Sequence, residues 1–237
     1  MSPVKTFFNF VRRSNPLNLI IPPHCLTCQS ESAQPVCSSC LTALEIPRPG
    51  CRICANPHAA TALFQCEWCE RLRVKPDWIW TPIAYRNTGR DVYQRIKFQG
   101  YWRLIPLLLS EALRRAPLEP KFWDFECLTS VPEVFLSKVH RAFNPSDQIA
   151  KNLSFQTGVE HKWLLKTRLF GRHQVGLGFK ERRSNMKNRF RCTKDIPKSV
   201  IIVDDVLTTG ATLEAATLAL RRAGAQRVGW LTLLRTI

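Results

Sequence analysis

The sequence predicts an α/β protein in which a parallel sheet is flanked by helices and preceded by a small cysteine-rich domain. The uninterrupted β-branched run Val200–Val203 is typical of a strand buried on both faces. A Thr/Gly/Ala turn follows, and a helix is predicted from about Thr212 to Ala223. Eight cysteines in regular pairs occupy the N-terminal part. The length of 237 residues accommodates one α/β domain, predicted at 71–237, and a small domain at 1–70.

Two carboxylates, Asp204 and Asp205, follow the predicted strand directly. In open α/β sheets ligands bind beyond the carboxyl ends of the strands, and the start of a helix favours an anion such as phosphate. Since the two acids would repel a bare phosphate, we predict that they hold sugar hydroxyls or a divalent cation beside it. The loop has no Gly-Lys-Ser/Thr, so it is not a Walker-type phosphate loop. The alternative to a ligand site is an ordinary strand–helix unit in which the two acids merely precede a capped helix. The predicted phosphate-binding residues are Thr208, Thr209, Gly210, Ala211 and Thr212.

The cysteines form four doublets, each with two intervening residues, separated by eight, ten and eleven residues. Each doublet places two thiolates within reach of one tetrahedral metal, so we predict two closed, structural zinc sites. Disulfides are disfavoured without an export signal, whereas iron–sulfur clusters would also take four thiolates. Each site is formed either by two consecutive doublets, which is simpler because each short loop closes locally, or by a cross-braced arrangement. The cross-braced arrangement joins the first doublet with the third and the second doublet with the fourth. The predicted ligands are Cys25, Cys28, Cys37, Cys40, Cys51, Cys54, Cys66 and Cys69; His24 and His58 lie outside the doublet spacing.

Positive charge is unevenly distributed along the chain. The formal net charge is +17, and the segment 162–198 contains twelve Lys or Arg residues against Glu181 and Asp195. This surplus predicts a polyanionic partner. A basic hood loop that closes over a diphosphate, or a solvated basic surface, would explain part of the same pattern. The residues predicted to contact nucleic acid or to form the hood are Arg168, Arg172, Arg182, Arg183, Lys187 and Arg189.

A second ligand-binding segment is predicted after the strand Phe125–Pro132. The turn that begins at Val131 and Pro132, with Lys138 and Arg141 following, offers backbone N–H groups and cations to a diphosphate; a surface loop with scattered basic residues is the alternative. The remaining predicted elements are a strand near Trp78–Tyr85, a helix within Tyr85–Gly100 that ends at Gly100, helices at Leu104–Arg115 and Ser146–Leu153, and a final strand Val228–Leu234.

The N-terminus predicts a short amphipathic helix around Phe7–Val11. Arg12 and Arg13 follow the apolar residues, which is the wrong order for a secretory signal. The apolar runs are far shorter than a membrane span. We therefore expect a soluble, cytoplasmic protein.

The segment Val200–Leu213 resembles the phosphoribosyl-diphosphate signature of the type I phosphoribosyltransferases: an apolar strand, two acids and a Thr-Thr-Gly-Ala-Thr loop. In that family the paired acids bind the ribose 2′ and 3′ hydroxyls, the loop binds the 5′-phosphate, and an early βα turn binds pyrophosphate. The resemblance implies that Asp204 and Asp205 bind the ribose hydroxyls. It implies that the Val131–Phe135 turn binds pyrophosphate. It also implies Mg²⁺ as the companion of phosphoribosyl diphosphate.

From about residue 20 onward, the chain resembles the ComF family of competence proteins, which couples a cysteine-doublet domain to a phosphoribosyltransferase-type domain. This resemblance implies a role in natural transformation: handling incoming single-stranded DNA in the cytoplasm, with a helicase-like partner and recombination factors. Ser130 and Ala142 depart from the Pro and Gly usual in the family. An active phosphoribosyltransferase with an unknown acceptor is the alternative function. Besides the doublets and the central motif, the matching pieces are Ile96–Gly100, Val131-Pro132, Arg141–Asn144, Gln174–Leu177 and Glu181–Asn185.

Overall fold

A computed structural model of the chain describes residues 23–47, 50–51, 53–57, 66–133, 143–167 and 189–237. Its helices are α1 (Ser38–Thr42), α2 (Glu67–Arg71), α3 (Asn87–Gln99), α4 (Ile105–Arg115), α5 (Pro145–Thr157) and α6 (Ala211–Arg222). Its strands are β1 (Trp78–Trp80), β2 (Ile83–Ala84), β3 (Cys127–Ser130), β4 (Glu160–His161), β5 (Leu165–Thr167), β6 (Phe190–Cys192), β7 (Ser199–Leu207) and β8 (Arg227–Arg235). Short 3-10 segments at Trp102–Leu104 and Pro120–Asp124 precede α4 and β3.

Six strands form one parallel sheet in the order β1-β8-β7-β3-β4, with β2 also pairing with β8. The central strand β7 places Ile202 between Thr129 of β3 and Trp230 of β8. Because parallel strands end at the same edge, the segments that follow β3 and β7 lie near each other. The sheet and its flanking helices confirm the predicted fold class.

The apolar run of β7 is buried on both faces. Ile201 and Val203 join a core formed with α3, α4 and α5, whereas Val200 and Ile202 point to the opposite face and pack with α6. Side chains alternate between the two sides of a strand, so a strand covered on both sides needs an apolar residue at every position. This is the physical reason that the run was recognisable in the sequence.

The longer helices lie where they were predicted, and their ends have defined causes. Gly100, in the left-handed region with φ +77°, ends α3. Asn144 caps α5, because its side chain accepts a hydrogen bond from the N–H of Ser146. Strand β7 continues two residues beyond Asp205, so the two acids lie within the strand instead of after it. The strands β4, β5 and β6 were not predicted, because two or three residues are too few for a recognisable alternation.

The N-terminal part packs directly on the α/β domain. Leu41 and Leu44 are buried in the same core cluster as Tyr93 and Ile96. The carboxylate of Glu45 accepts hydrogen bonds from side chains at the start of α3, and Arg115 donates to backbone carbonyls of α1. The two regions therefore share one hydrophobic core, and the predicted division at residue 70 stays a prediction.

Several predictions fall outside the described residues. They include the N-terminal helix and two segments on which the family resemblance depends, Gln174–Leu177 and Glu181–Asn185. They also include the cations predicted for the diphosphate turn and the basic segment: Lys138, Arg141, Arg168, Arg172, Arg182, Arg183 and Lys187. In the part of the chain that is described, no helix has the length and apolar character needed to cross a bilayer.

Candidate functional site

A cleft of about 290 Å³ lies at the carboxyl edge of the sheet, where β3 and β7 end. Of the residues predicted from the sequence, it is lined by Asp204, Asp205, Thr208, Thr212, Val131, Pro132 and Arg189. Glu133, within the predicted Val131–Phe135 turn, also lines it. The rest of its lining was not predicted as part of a site: Lys97 of α3, Asn144, Pro145 and Ser146 of α5, and Val206. A smaller recess of about 30 Å³ adjoins it, lined by Asp204 and by the loop containing Thr209, Gly210 and Ala211. The central motif and the turn after β3 thus share one site.

Asp204 is held by the start of α5. Ser146 Oγ donates a hydrogen bond to Asp204 Oδ1 at 2.8 Å, and the N–H of Asp205 donates to the same oxygen at 2.9 Å. Burial, together with the neighbouring charge of Asp205, raises the pKa of Asp204 to about 7, although the hydrogen bond from Ser146 acts in the opposite direction. No described residue donates to Oδ2 of Asp204, so that oxygen is available for a ligand hydroxyl or a cation.

Asp205 is held by α3. Tyr93 Oη donates a hydrogen bond to Asp205 Oδ2, and Lys97 Nζ lies 3.5 Å from the same oxygen. The Lys97 ammonium also lies 5.4 Å from the centre of the Tyr93 ring. Tyr93 and Lys97 are one helical turn apart, so α3 directs a hydrogen-bond donor and a cation at one carboxylate oxygen. Because these contacts span more than a hundred residues, the sequence alone did not indicate Tyr93 or Lys97 as site residues.

The Thr-rich loop ends at an open helix N-terminus. Gly210 is the N-cap of α6, with φ +81° and no side-chain cap. The first N–H groups of a helix lack intrahelical partners, and here the Thr209 hydroxyl accepts from the N–H of Ala211 only at 3.4 Å. Backbone donors, the helix dipole and exposed threonine hydroxyls thus converge on the recess. This arrangement suits a phosphate group.

The turn after β3 is anchored by Asn144. Its Nδ2 donates to the carbonyl oxygen of Val131 at 2.9 Å, while its Oδ1 caps α5. The turn therefore starts from a fixed position opposite the Thr-rich loop. Its cations Lys138 and Arg141 lie outside the described residues.

Ser130 and His161 form a buried polar contact below this turn. Ser130 Oγ lies 3.2 Å from His161 Nε2, and Asp147 Oδ1 lies 4.0 Å from the same nitrogen. A relay that activates serine requires the acid and the serine on opposite nitrogens of the ring, so this is not a nucleophilic triad. Burial lowers the pKa of His161 and so disfavours its charged form, although the neighbouring charge of Asp147 acts in the opposite direction. Ser130 therefore has a structural hydrogen-bond partner in His161.

The eight doublet cysteines form two separate clusters from consecutive doublets. In each cluster the four Sγ atoms lie within 4.8 Å of one another. The closest sulfur pairs are separated by 3.8 and 3.7 Å in one cluster and by 3.7 and 3.4 Å in the other. Tetrahedral zinc with Zn–S bonds of about 2.3 Å requires sulfur–sulfur distances of about 3.8 Å. The clusters therefore fit zinc, and the sulfurs are too far apart for disulfides, which need about 2.05 Å. The first cluster is Cys25, Cys28, Cys37 and Cys40; the second is Cys51, Cys54, Cys66 and Cys69.

Backbone N–H groups support the thiolates. Burial disfavours ionisation of Cys25, but N–H groups including those of Cys37 and Thr27 donate to its sulfur and lower its pKa to about 6. The N–H of Ile53 donates to Cys51 Sγ at 3.4 Å in the second cluster. Such donors orient metal-bound thiolates and stabilise their charge.

The second cysteine cluster packs against the Thr-rich loop through Trp68. A Cβ atom on Gly210 would lie 3.2 to 3.3 Å from side-chain atoms of Leu72 and Trp68, and Trp68 stands between two ligands of the cluster. Glu214 of α6 accepts hydrogen bonds from the backbone N–H groups of Arg73 and Val74. The segment after the last cysteine doublet therefore forms one wall of the loop. This wall was not predicted from the sequence.

Two known domain families match the chain. The double zinc ribbon domain matches residues 16–73, which contain both cysteine clusters. The phosphoribosyl transferase domain matches residues 182–236, which contain the central motif. Both cysteine clusters therefore lie in the segment that matches a double zinc ribbon, which supports structural zinc. Strands β7 and β8 and helix α6 lie in the segment that matches a phosphoribosyl transferase domain.

Three known proteins are similar over most of the chain. Competence protein F of Haemophilus influenzae is 27% identical over 235 residues, covering 94% of this chain and 95% of that protein. Competence protein ComFC of Streptococcus pneumoniae is 27% identical over 217 residues, covering 84% and 87%. The DNA utilization protein YhgH of Escherichia coli K12 is 27% identical over 234 residues, covering 92% and 100%.

Proposed function

We propose that this chain, a homologue of the ComF competence proteins, acts in natural transformation by handling incoming single-stranded DNA in the cytoplasm. Near full-length similarity to two proteins named for competence and one named for DNA utilization supports this role. The net charge of +17 supports a polyanionic partner. A helicase-like competence protein and recombination factors are the proposed protein partners.

The cleft between the two acids and the Thr-rich loop is the observation that supports a ligand for the α/β domain. We propose that it binds phosphoribosyl diphosphate or a related phosphoribosyl group. The 5′-phosphate would take the recess at the start of α6, and Asp204 and Asp205 would accept hydrogen bonds from the ribose hydroxyls. Lys97 and Arg189, which line the cleft, supply positive charge to balance the phosphates.

Magnesium fits the same donor set. Carboxylate oxygens are hard ligands of the kind that Mg²⁺ prefers, and it usually binds through one or two carboxylates together with substrate phosphates. Asp204 Oδ2 and the carboxylate of Asp205 would hold it. When bound, Mg²⁺ would neutralise charge on the diphosphate.

Calorimetric titration of the zinc-loaded chain with phosphoribosyl diphosphate and Mg²⁺ tests the cleft. We expect saturable binding that is lost in the D204N/D205N variant. The matched control is Asp195→Asn, an acid outside the cleft, which should bind like the unsubstituted chain. An absence of heat from the unsubstituted chain would exclude the proposed ligand.

Single-stranded DNA binding is tested by a salt series. Each phosphate neutralised on a single strand contributes about −0.7 to the slope of log K against log salt. We expect a steep negative slope, and an affinity that hardly changes with salt would contradict the proposed partner.

An active phosphoribosyltransferase is the second candidate function, and the intact acid pair with its Tyr93 and Lys97 contacts favours it. In that reaction the bond between the anomeric carbon and the diphosphate oxygen breaks and diphosphate leaves with the bonding electrons. A bond forms from that carbon to a nucleophilic acceptor, which releases a proton. Diphosphate released on addition of candidate acceptors, and absent in D204N/D205N, would establish turnover. If the chain binds phosphoribosyl diphosphate but releases no diphosphate with any acceptor tested, the domain has a binding role only.

A further inference from the structure

The end of α3 and the turn that follows it present three aromatic side chains to solvent within five residues. Phe98 is 70% exposed, Tyr101 42% and Trp102 39%. We call Phe98, Tyr101 and Trp102 the aromatic turn. Exposed aromatic groups this close together are uncommon, because burying such side chains stabilises a fold, and they mark interaction sites.

The aromatic turn is held rigidly. The N–H of Tyr101 donates to the carbonyl of Arg95, that of Trp102 to Gly100, and that of Leu104 to Tyr101, at 2.8 to 3.3 Å. Ile96 and Leu104, on either side of the turn, are buried in the core. The rings are therefore presented from a fixed backbone, which lowers the entropic cost of binding a partner.

The surroundings of the aromatic turn are cationic. The stretch 92–110 contains Arg95, Lys97 and Arg103 and no Asp or Glu. The Arg103 guanidinium carbon lies 5.3 Å from the centre of the Trp102 ring, so a cation and a flat ring form one surface. A partner that matches this surface has flat rings and negative charge.

The aromatic turn adjoins the cleft. Lys97, directly before Phe98, lines the cleft and lies 3.5 Å from Asp205. The cleft and the aromatic turn therefore both draw on the C-terminal end of α3.

We propose that the aromatic turn is a stacking surface for the bases of single-stranded DNA. This inference rests on the proposed DNA-handling function and specifies where the strand binds. Aromatic rings stack on every base regardless of sequence, while neighbouring Arg and Lys residues follow the phosphates. Double-stranded DNA does not expose its base faces and would not use this surface.

The test measures binding of labelled oligothymidine by the full, zinc-loaded chain, using fluorescence anisotropy. We expect Tyr101→Ala and Trp102→Ala each to weaken binding about tenfold, which is typical for the loss of one stacking ring. The slope of log K against log salt should not change in these variants. Arg103→Gln should instead make that slope shallower by about 0.7, the contribution of one phosphate on a single strand.

Matched controls are Trp123→Ala and Phe155→Ala, which remove exposed aromatic rings elsewhere, 55% and 84% exposed. These variants should bind oligothymidine like the unsubstituted chain. Calorimetric titration with phosphoribosyl diphosphate should be unchanged in Y101A/W102A, which shows that the cleft remains folded.

The outcomes separate the two proposals. If the unsubstituted chain binds oligothymidine and Y101A/W102A binds it equally well, the stacking surface is wrong and the DNA-handling function stands. If the unsubstituted chain does not bind at any salt concentration, both are wrong. If Y101A/W102A leaves DNA binding intact but converts a dimer to a monomer in sedimentation, the aromatic turn is a self-association surface and the inference is overturned.

Discussion

The guanidinium of Arg235 lies over the indole ring of Trp68, with its Cζ 4.8 Å from the ring centre. Arg235, in the last strand, is buried and also donates a hydrogen bond to the carbonyl oxygen of Cys54. Its Nη2 lies 3.9 Å from Cys54 Sγ. The same Trp68 ring packs against Gly210. The second cysteine cluster is thereby connected through one aromatic ring to the Thr-rich loop.

Removing the second zinc site should therefore weaken ligand binding at the loop. Cys54→Ser should lose about one equivalent of zinc and bind phosphoribosyl diphosphate more weakly, because Trp68 and Leu72 are no longer fixed. Metal analysis and calorimetry measure the two effects.

The control for that experiment is Cys28→Ser in the first cluster, whose Cys28 is exposed. It should lose the other zinc with a smaller change in ligand affinity, since this cluster joins the core of α3, α4 and α5 and not the core that contains Leu72 and α6. Equal affinities in the two variants would show that the second site does not support the loop.

Replacement of Gly210 by alanine should damage both stability and binding. Its φ of +81° costs an L-residue about 1 kcal/mol, and the new Cβ would press on Trp68 and Leu72. We expect a loss of about 1–2 kcal/mol in the free energy of unfolding, measured with urea, and a clear loss of phosphoribosyl-diphosphate affinity.

Gly158→Ala is the control that separates the backbone cost of a positive φ from the contact of a new Cβ with Trp68 and Leu72. Gly158 has φ +77°, and a Cβ atom added to it would meet no other atom within 4 Å, so only the backbone cost remains. This variant should lose stability and keep its ligand affinity. A similar loss of affinity in both variants would argue that the contact of Trp68 and Leu72 with Gly210 does not support ligand binding.

Tyr93→Phe removes the hydroxyl that donates to Asp205. A partly buried carboxylate that loses a donor costs about 1–3 kcal/mol, so the free energy of unfolding should fall by that order. Tyr85→Phe is the control, because its ring packs on Tyr93 at 5.9 Å and no described residue hydrogen-bonds its hydroxyl. Equal stability of the two variants would show that the Tyr93–Asp205 bond contributes nothing.

Ligand binding should depend on pH through Asp204. With its pKa raised from 3.8 to about 7, this carboxyl is mostly protonated at pH 6 and mostly ionised at pH 8. If the ionised form accepts the ribose hydroxyls, affinity should rise by about tenfold over that range. The folded state holds this proton more tightly than the unfolded chain, so the same group lowers stability as pH rises from about 4 through 7.

Two variants isolate this effect from ionisation of the ligand phosphate. Asp204→Asn should flatten the pH profile of any residual binding, whereas Ser146→Ala should move the profile to higher pH because a donor to the carboxylate is lost. A pH profile that is identical in all three proteins would assign the titration to the ligand.

The local parts of this protein were predictable because neighbouring residues determine them. The apolar run of β7, the acids, the Thr-rich loop and the start of α6 are consecutive, and each signal is one of strand burial, charge or turn chemistry. The cysteine doublets were predictable for a similar reason, because two thiolates spaced by two residues suit one metal. Consecutive pairing was the simpler of two open arrangements and is the one in the structure.

The parts that the sequence did not indicate depend on contacts between distant segments. Ser146 meets Asp204 across 58 residues, Tyr93 meets Asp205 across 112, and Arg235 meets Cys54 across 181. No periodicity or spacing records such contacts, because they arise when helices pack on a sheet. Consecutive residues were enough to indicate the ligand chemistry that the central motif can offer and the cysteines that can bind zinc. The donors that hold the two acids, and the packing of the cysteine-rich segment against the Thr-rich loop, were not visible in the sequence, because only folding brings those side chains within bonding distance.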